Sequence, residues 1–406
     1  MKALKIGIVL NFKAAEKKKD ELLDVNCERL KFLSLANNPE YKEYIITRDS
    51  EKCVPADIAI GLYIENKYPT IEIDYIKPEE ISTRRFKKND IVFVTIYDLL
   101  EAFHLGDKTN FNKYKCALKN SKNVYPPYDY QKFINNKCIY YKYLANKDIP
   151  VAPTHCVYKQ KWFVKNPSKY VDNLINKIRS NKWESVIAKP VYGQESKDFS
   201  KFLAKKGPKC KKKDCEPCES GGSCTKSLKK QKNRLLKYLS KNIPKYKSIV
   251  IQEYIKGFDK SNPEFRTFFI NGKYMYTIVT NEDDFYKPVQ EGGKFKIPNV
   301  KWKYLMKFAK RVMNILPKFN LPSGMQNSII TRIDVGSGLI GAPFTYFVNE
   351  VEFVPSLYIE EHNKPVIQKI SEALIKVAIE YHKRKSYNEL PITTNFHTKE
   401  SLKTLI

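Results

Sequence analysis

A chain of 406 residues with 42% hydrophobic and 13% aromatic content can bury more than one core, which excludes an intrinsically disordered protein. Its 73 Lys and Arg against 44 Asp and Glu give a formal charge of +29, so a polyanionic partner or substrate is expected, with solvated basic faces accounting for part of the excess. No apolar run reaches membrane-span length, and nine scattered cysteines lead us to expect reduced thiols in an intracellular, cytoplasmic setting, not secretion.

Residues 1–125 alternate apolar runs with polar stretches. Leu4 to Asn11, Ile58 to Ile64 and Ile91 to Ile96 read as strands, and Glu21 to Leu35 as an amphipathic helix. This pattern suits an α/β layer with a mostly parallel sheet, and it contains no Gly-x-Gly-x-x-Gly dinucleotide fingerprint. VYPPYDY at 124–130 is a Pro-rich turn and a domain boundary. A helix is expected from Gln131 to Asn146, ending at DIPVAPT, then a helix near Val171 to Arg179 and the strand SVIAKP at 185–190.

Residues 201–250 differ in character, with 16 Lys or Arg against three acids. The segment KKGPKCKKKDCEPCESGGSC has no apolar periodicity and reads as a basic, Cys-containing insertion at about 201–230. Its Cys210, Cys215, Cys218 and Cys224 either close a tetrahedral zinc site or belong to a solvated loop, and only Cys215 and Cys218 have C-x-x-C spacing. A helix near Leu228 to Leu239 follows, then the strand pair IVIQEYI (249–255) and FRTFFINGKYMYTIV (265–279), with a turn at Asn271-Gly272. The remainder reads as a helix at Trp302 to Leu316, strands at Asn327 to Asp334 and YFVNEVEFVPSLY (346–358), and a helix at Val366 to His382.

Three features suggest chemistry. Lys189 ends an apolar strand before the Gly-containing loop PVYGQES, an arrangement that binds phosphate or lets the lysine reach water. Glu264 and Arg266 share a strand face and read most simply as an ion pair. Asp334 on TRIDV and Glu350 with Glu352 on the next strand converge if the two strands are antiparallel neighbours; divalent cations would then relieve their repulsion, with Arg332 beside them.

The order of these pieces, with DIPVAPT before them, resembles the ATP-grasp superfamily over about residues 130–360, notably the nucleotide domain of ligases of the D-alanine–D-alanine and tubulin tyrosine types. The resemblance implies an α/β pre-grasp domain at 1–125, a two-lobed ATP-grasp domain on antiparallel sheets at 126–385 and a tail at 386–406. It implies that Lys137 and Lys189 contact ATP phosphates, and that Tyr192, Gly193, Gln194, Glu195 and Ser196 form the phosphate cover. Gln252, Glu253, Tyr254 and Ile255 would be the adenine hinge, with Gln252 standing where Glu is frequent, and Glu264 the ribose acid. Asp334, Glu350 and Glu352 would hold Mg²⁺, two ions being expected, with Glu352 where many members have Asn, and Arg332 would steady the reacting acyl group.

The implied activity is ligation of a carboxylate, on an acidic substrate, to an amine through an acyl phosphate, with Lys189 and Arg332 as catalytic residues. The basic insertion would contact the polyanion. A kinase of the inositol phosphate type, or a nucleotide-responsive polyanion-binding protein without catalysis, are the other readings the residues allow.

Overall fold

The computed structural model describes residues 3–11, 22–104, 106–158, 165–193, 198–203, 228–255, 263–280, 286–288, 301–321, 324–339, 344–359, 362, 364–385 and 393–394. The chain divides into two compact units, one of Met1–Ile134, Pro263–Gly336 and Asn349–Ile406, the other of Asn135–Asn262 and Ser337–Val348.

The first unit opens with an α/β layer. Strand β1 (Lys5–Val9) is followed by a small antiparallel sheet of β2 (Leu22–Asp24), β3 (Ile46–Arg48) and β4 (Glu51–Pro55), then helix α1 (Ala56–Lys67) and β5 (Glu72–Ile76). After α2 (Thr83–Lys87) come β6 (Ile91–Phe93), α3 (Leu99–His104), α4 (Lys108–Asn120), β7 (Val124–Tyr125) and α5 (Tyr128–Ile134). The main sheet has the order β5-β1-β6-β7, with every pairing parallel, as the alternating pattern of residues 1–125 anticipates.

Two readings of this region need correction. Ile58 to Ile64 is not a strand but the middle of α1, and Asp57 through Leu62 are all buried. A segment buried on every side has no apolar period, so its continuous hydrophobicity does not separate strand from helix. Gly61 permits the packing: a Cβ there would come within 2.2 Å of the Tyr75 hydroxyl oxygen. Glu21 to Leu35 is not one amphipathic helix either. It divides into β2 and a 3-10 helix over Glu28–Asn37, because the Asp24 Oδ1 accepts from the Asn26 N–H at 2.9 Å and turns the chain.

The second unit contains α6 (Lys137–Ala145), β8 (Thr154–Tyr158), α7 (Pro167–Ser180), β9 (Ser185–Pro190), β10 (Ser200–Leu203), α8 (Leu228–Tyr246) and β11 (Ser248–Glu253). Its strands form an antiparallel sheet in the order β10-β9-β11-β8. The helix expected over Gln131 to Asn146 is two helices, since Asn136 caps α6 by accepting from the Ile139 N–H at 3.1 Å. Cys138 on α6 and Cys156 on β8 are joined by a disulfide with a Cα–Cα distance of 6.1 Å, a departure from the reduced thiols expected. Packing α6 against the sheet brings the two side chains together, which sequence spacing does not show.

The first unit resumes with β12 (Phe265–Ile270), β13 (Lys273–Thr280), β14 (Tyr286–Pro288), helix α9 (Trp302–Ile315) and short strands β15 (Phe319–Leu321) and β16 (Gly324–Gln326). The start of β17 (Ile330–Leu339) and the end of β18 (Phe344–Glu352) also belong to it, and β12, β13, β14, β17 and β18 form a second, antiparallel sheet. The order is β14-β13-β12-β17-β18, so β11 and β12 are not a strand pair but belong to different sheets. Asn271 and Gly272, at φ 48° and 75°, turn β12 into β13, the left-handed pair that a tight hairpin needs. A Cβ on Gly272 would lie 2.2 Å from the Asn327 Nδ2. Helix α10 (Val366–Lys385) follows, and its Ser371 Oγ donates to the Ile60 carbonyl of α1 at 3.2 Å; β19 (Thr393–Thr394) pairs with β15. Tyr130 packs edge-on against Phe319 and Phe353, tying α5 to β15 and to the chain just after β18. Among the described residues, no helix is long and apolar enough to cross a membrane.

Candidate active site

In the first unit, the period of two along β17 sets Arg332 and Asp334 on one face. The Arg332 Nε and Nη2 donate to the two Asp334 carboxylate oxygens at 2.8 Å each, and Nη2 also lies 2.9 Å from Glu352 Oε1. Register places Arg266 of β12 opposite Asp334. Asp334, Glu350 and Glu352 each offer an oxygen within 4.8 Å of the others, so the convergence expected of strands β17 and β18 is present. Glu264 also proves to be ion-paired: it accepts from Arg266 Nε at 3.1 Å and from Asn349 Nδ2 at 2.5 Å. Arg266 in turn donates through Nη1 to the Tyr358 hydroxyl.

The electrostatics follow from burial. Removal from water pushes the Asp334 carboxyl up to about 7, against the lowering pull of Arg332 and Arg266. Burial would lower the Arg332 guanidinium, but Asp334 and Glu352 outweigh it and hold it well above its ordinary value. Four carboxylates against two guanidiniums leave the cluster with a formal charge of minus two. A hard divalent cation fits such a set, because carboxylate oxygens already hydrogen-bonded on one side retain lone pairs for a metal. Arg332 thus engages both carboxylates through Nε and Nη2, the side of the guanidinium that faces Asp334 and Glu352.

In the second unit, Lys137 and Lys189 each donate to a neutral oxygen. Lys137, at the first turn of α6 and buried, donates from Nζ to the Gly193 carbonyl at 2.5 Å, and its backbone N–H reaches the Val191 carbonyl at 3.3 Å. Asn136 Nδ2 donates to the Tyr192 hydroxyl at 3.2 Å, so α6 is tied to the start of the loop after β9. Lys189, next to last in β9, donates to the Tyr141 hydroxyl at 3.0 Å and lies 5.4 Å from that ring's centre. Register sets Lys189 opposite Val250 and Cys156 opposite Val250 in turn, so one row of the sheet carries both Lys189 and the disulfide.

The expected hinge lies at the end of β11. Gln252 is buried, and its Nε2 donates to Thr154 Oγ1 at 3.0 Å and more weakly to the Ala152 carbonyl at 3.4 Å. Burial raises the Glu253 carboxyl, with Glu184 adding to the effect. Tyr254 is stacked beneath Lys201, whose Nζ is 3.3 Å from the ring centre, and Ile255 packs with Ala152 and Phe347. Gln194, Glu195 and Ser196 of the loop, and Cys210, Cys215, Cys218 and Cys224 of the insertion, lie outside the described residues.

Asn349 and Tyr358 were not anticipated, nor was the placing of Arg266 opposite Asp334. Asn349 sits inside the NEVE run and was legible as a polar neighbour of Glu350, but Tyr358 reaches Arg266 only because the chain turns after β18, with Tyr358 at φ 50°.

No protein-family model matches the sequence, and no curated protein matches it. Solved structures do match by shape. D-cycloserine synthetase DcsG aligns over 92% of this chain and 99% of its own with a TM-score of 0.55 at 14% identity. D-alanyl-alanine synthetase A from Vibrio cholerae covers 95% of this chain and 100% of its own, with a TM-score of 0.51 at 12% identity. The D-alanine–D-alanine ligase from Bacillus anthracis complexed with ATP covers 94% and 99%, with a TM-score of 0.50 at 13% identity. The chain has the ATP-grasp ligase fold: an α/β N-terminal layer followed by two antiparallel sheets.

Proposed function

We propose that the protein is an ATP- and Mg²⁺-dependent ligase that joins a carboxylate to an amine through an acyl phosphate. The observation that carries this reading is the convergence of Asp334, Glu350 and Glu352 within 4.8 Å, beside Arg332. The shared fold supports it, since the solved structures named above are synthetases or ligases by their names.

In this reading Asp334, Glu350 and Glu352 hold Mg²⁺, two ions being proposed. Bound there, Mg²⁺ supplies charge neutralisation for the phosphate oxygens during transfer. Lys137 stands at the N-terminus of α6, where the helix dipole adds to its own positive charge, and both favour a phosphate group. Lys189 holds the phosphate being transferred, and its present partner, a tyrosine hydroxyl, leaves the ammonium charge unneutralised. Gln252 to Ile255 receive the adenine and Glu264 the ribose.

A substrate carboxylate oxygen attacks the γ-phosphorus and ADP leaves. The amine nitrogen then attacks the acyl carbon, the bond to the phosphate oxygen breaks, inorganic phosphate leaves, and the amine proton passes to solvent. The Arg332 guanidinium is suited to the oxyanion that forms at that carbon. The substrate class we propose is an acidic carboxylate, in keeping with the charge of +29.

The test is to incubate the protein with Mg²⁺-ATP and pools of amino acids and acidic dipeptides, measuring inorganic phosphate and product mass. Phosphate release together with a product lighter by one water than its two substrates supports ligation. A product heavier by one phosphoryl group, with no free phosphate, would establish the kinase reading instead.

A further inference from the structure

Helix α9 and strand β13 of the first unit enclose an open groove of about 970 Å³ that none of the nucleotide chemistry uses. Its floor is apolar and aromatic, formed by Tyr274, Trp302 and Met306; its wall carries Lys303, Lys307 and Lys310, all exposed. The helix spacing i, i+4, i+7 puts the three lysines on one face. They span about 10 Å along the axis at 1.5 Å per residue, the length of about three residues of extended peptide. Residues 301–318 hold six Lys or Arg and no Asp or Glu, so the positive field here is not offset along the helix.

We infer that this groove is a docking site for an acidic peptide segment with an apolar side chain between its carboxylates. Charge complementarity selects a polyanion, and the floor selects its type. Trp302 and Tyr274 meet edge to face, with ring centres 5.9 Å apart and planes at 70°, so they engage one another and do not present parallel platforms for bases. A buried methionine beside them offers an adaptable apolar seat for a Leu or Phe side chain. A peptide that alternates acidic and apolar residues satisfies both wall and floor; a nucleic acid strand satisfies only the wall. Binding here requires nothing of the ligase chemistry, and the two readings fail separately.

The test is fluorescence anisotropy of a fluorescein-labelled octapeptide, seven Glu around one central Phe, titrated with the full chain. The triple variant Lys303→Glu, Lys307→Glu, Lys310→Glu should bind at least tenfold more weakly. A control of equal charge change on α4, Lys113→Glu, Lys115→Glu, Lys119→Glu, should bind within about threefold of wild type. All six positions are exposed, and matching thermal melts of the three proteins verify the fold. Replacing the central Phe of the peptide by Ser should weaken wild-type binding several-fold and leave the groove variant unaffected. Absence of peptide binding, equal weakening in both triple variants, or no effect of the Phe replacement overturns the inference. Displacement of the peptide by an oligothymidylate that itself binds more tightly, and is lost in the same variant, overturns it in favour of nucleic acid.

Discussion

In the antiparallel sheet of the first unit, Arg332 and Arg266 each meet a carboxylate two residues away on the same strand face, while in the second unit Lys137 and Lys189 meet a carbonyl and a phenol. Both regions take charge out of water, and the contacts described differ in kind: carboxylates for the two arginines, neutral oxygens for the two lysines. A guanidinium held by two carboxylates is part of the fold, because deleting either partner strands the other in a low-dielectric interior. Lys189, whose partner is a neutral hydroxyl, keeps its charge for an incoming anion. The first region is therefore expected to govern stability and metal binding together, the second ligand affinity with little effect on stability.

The largest expected effect comes from breaking the first region. Arg332→Met leaves the buried Asp334 and the half-buried Glu352 without their guanidinium and should cost about 3–5 kcal/mol of stability. Urea unfolding measures it, and a double variant with Asp334→Leu should recover a substantial part of the loss. A cost below about 1 kcal/mol for Arg332→Met would mean the pair is no part of the fold's stability.

Next is the covalent tie of the second region. The Cys138–Cys156 link closes a loop with a sequence separation of 18, and replacing both cysteines by Ser should lower stability by about 3 kcal/mol. Urea unfolding of the oxidised and serine forms checks this, and mass spectrometry without reductant should find the two thiols missing from the free-thiol count of the wild type. Identical unfolding curves would show that the packing of α6 on β8 suffices alone.

Asp57 sharpens the comparison from within the first unit, as a buried carboxylate that accepts from the N–H groups of Asn11 at 2.6 Å and Ile58 at 2.8 Å. Burial pushes it up to about 6 from 3.8. A raised folded-state pKa contributes stability in full below the unfolded value, lost as pH rises through the folded one. Stability from this group should thus fall between about pH 4 and pH 6, by at most about 3 kcal/mol. Asp57→Asn should remove that slope, as urea unfolding at pH 4.5 and 6.5 would reveal; an unchanged slope contradicts the assignment.

The smallest stability effect is expected at Lys189. Lys189→Met loses one hydrogen bond, worth about 1 kcal/mol, yet nucleotide affinity should drop about tenfold or more. A melting-temperature loss comparable to that of Arg332→Met would erase the distinction between the two regions.

The sequence revealed the acidic cluster more fully than the rest because the sheet encodes it. Strand period two fixes Arg332 with Asp334 and Glu350 with Glu352, and a short hairpin makes their strands neighbours, so three positions suffice. The pairing of Arg332 with two carboxylates was not legible, since side-chain direction within a face is set by packing. The α/β layer was legible in type, but α1 was misread because total burial hides its period, and the 3-10 helix because the turn at Asp24 interrupts an apparently helical spacing. Asn136 could have announced the break before α6: Asn is a favoured cap, and two stand together at 135–136. Tyr358 and the disulfide depend on contacts between elements distant in sequence, for which local pattern holds no signal.

The central claim is that Asp334, Glu350 and Glu352 hold Mg²⁺ for a nucleotide. Calorimetric titration of wild type and Glu350→Gln with a non-hydrolysable ATP analogue, with and without Mg²⁺, tests it most directly. We expect binding that depends on Mg²⁺ in the wild type and is about tenfold or more weaker in Glu350→Gln. Binding indifferent to both the metal and Glu350, or no binding at all, would contradict it.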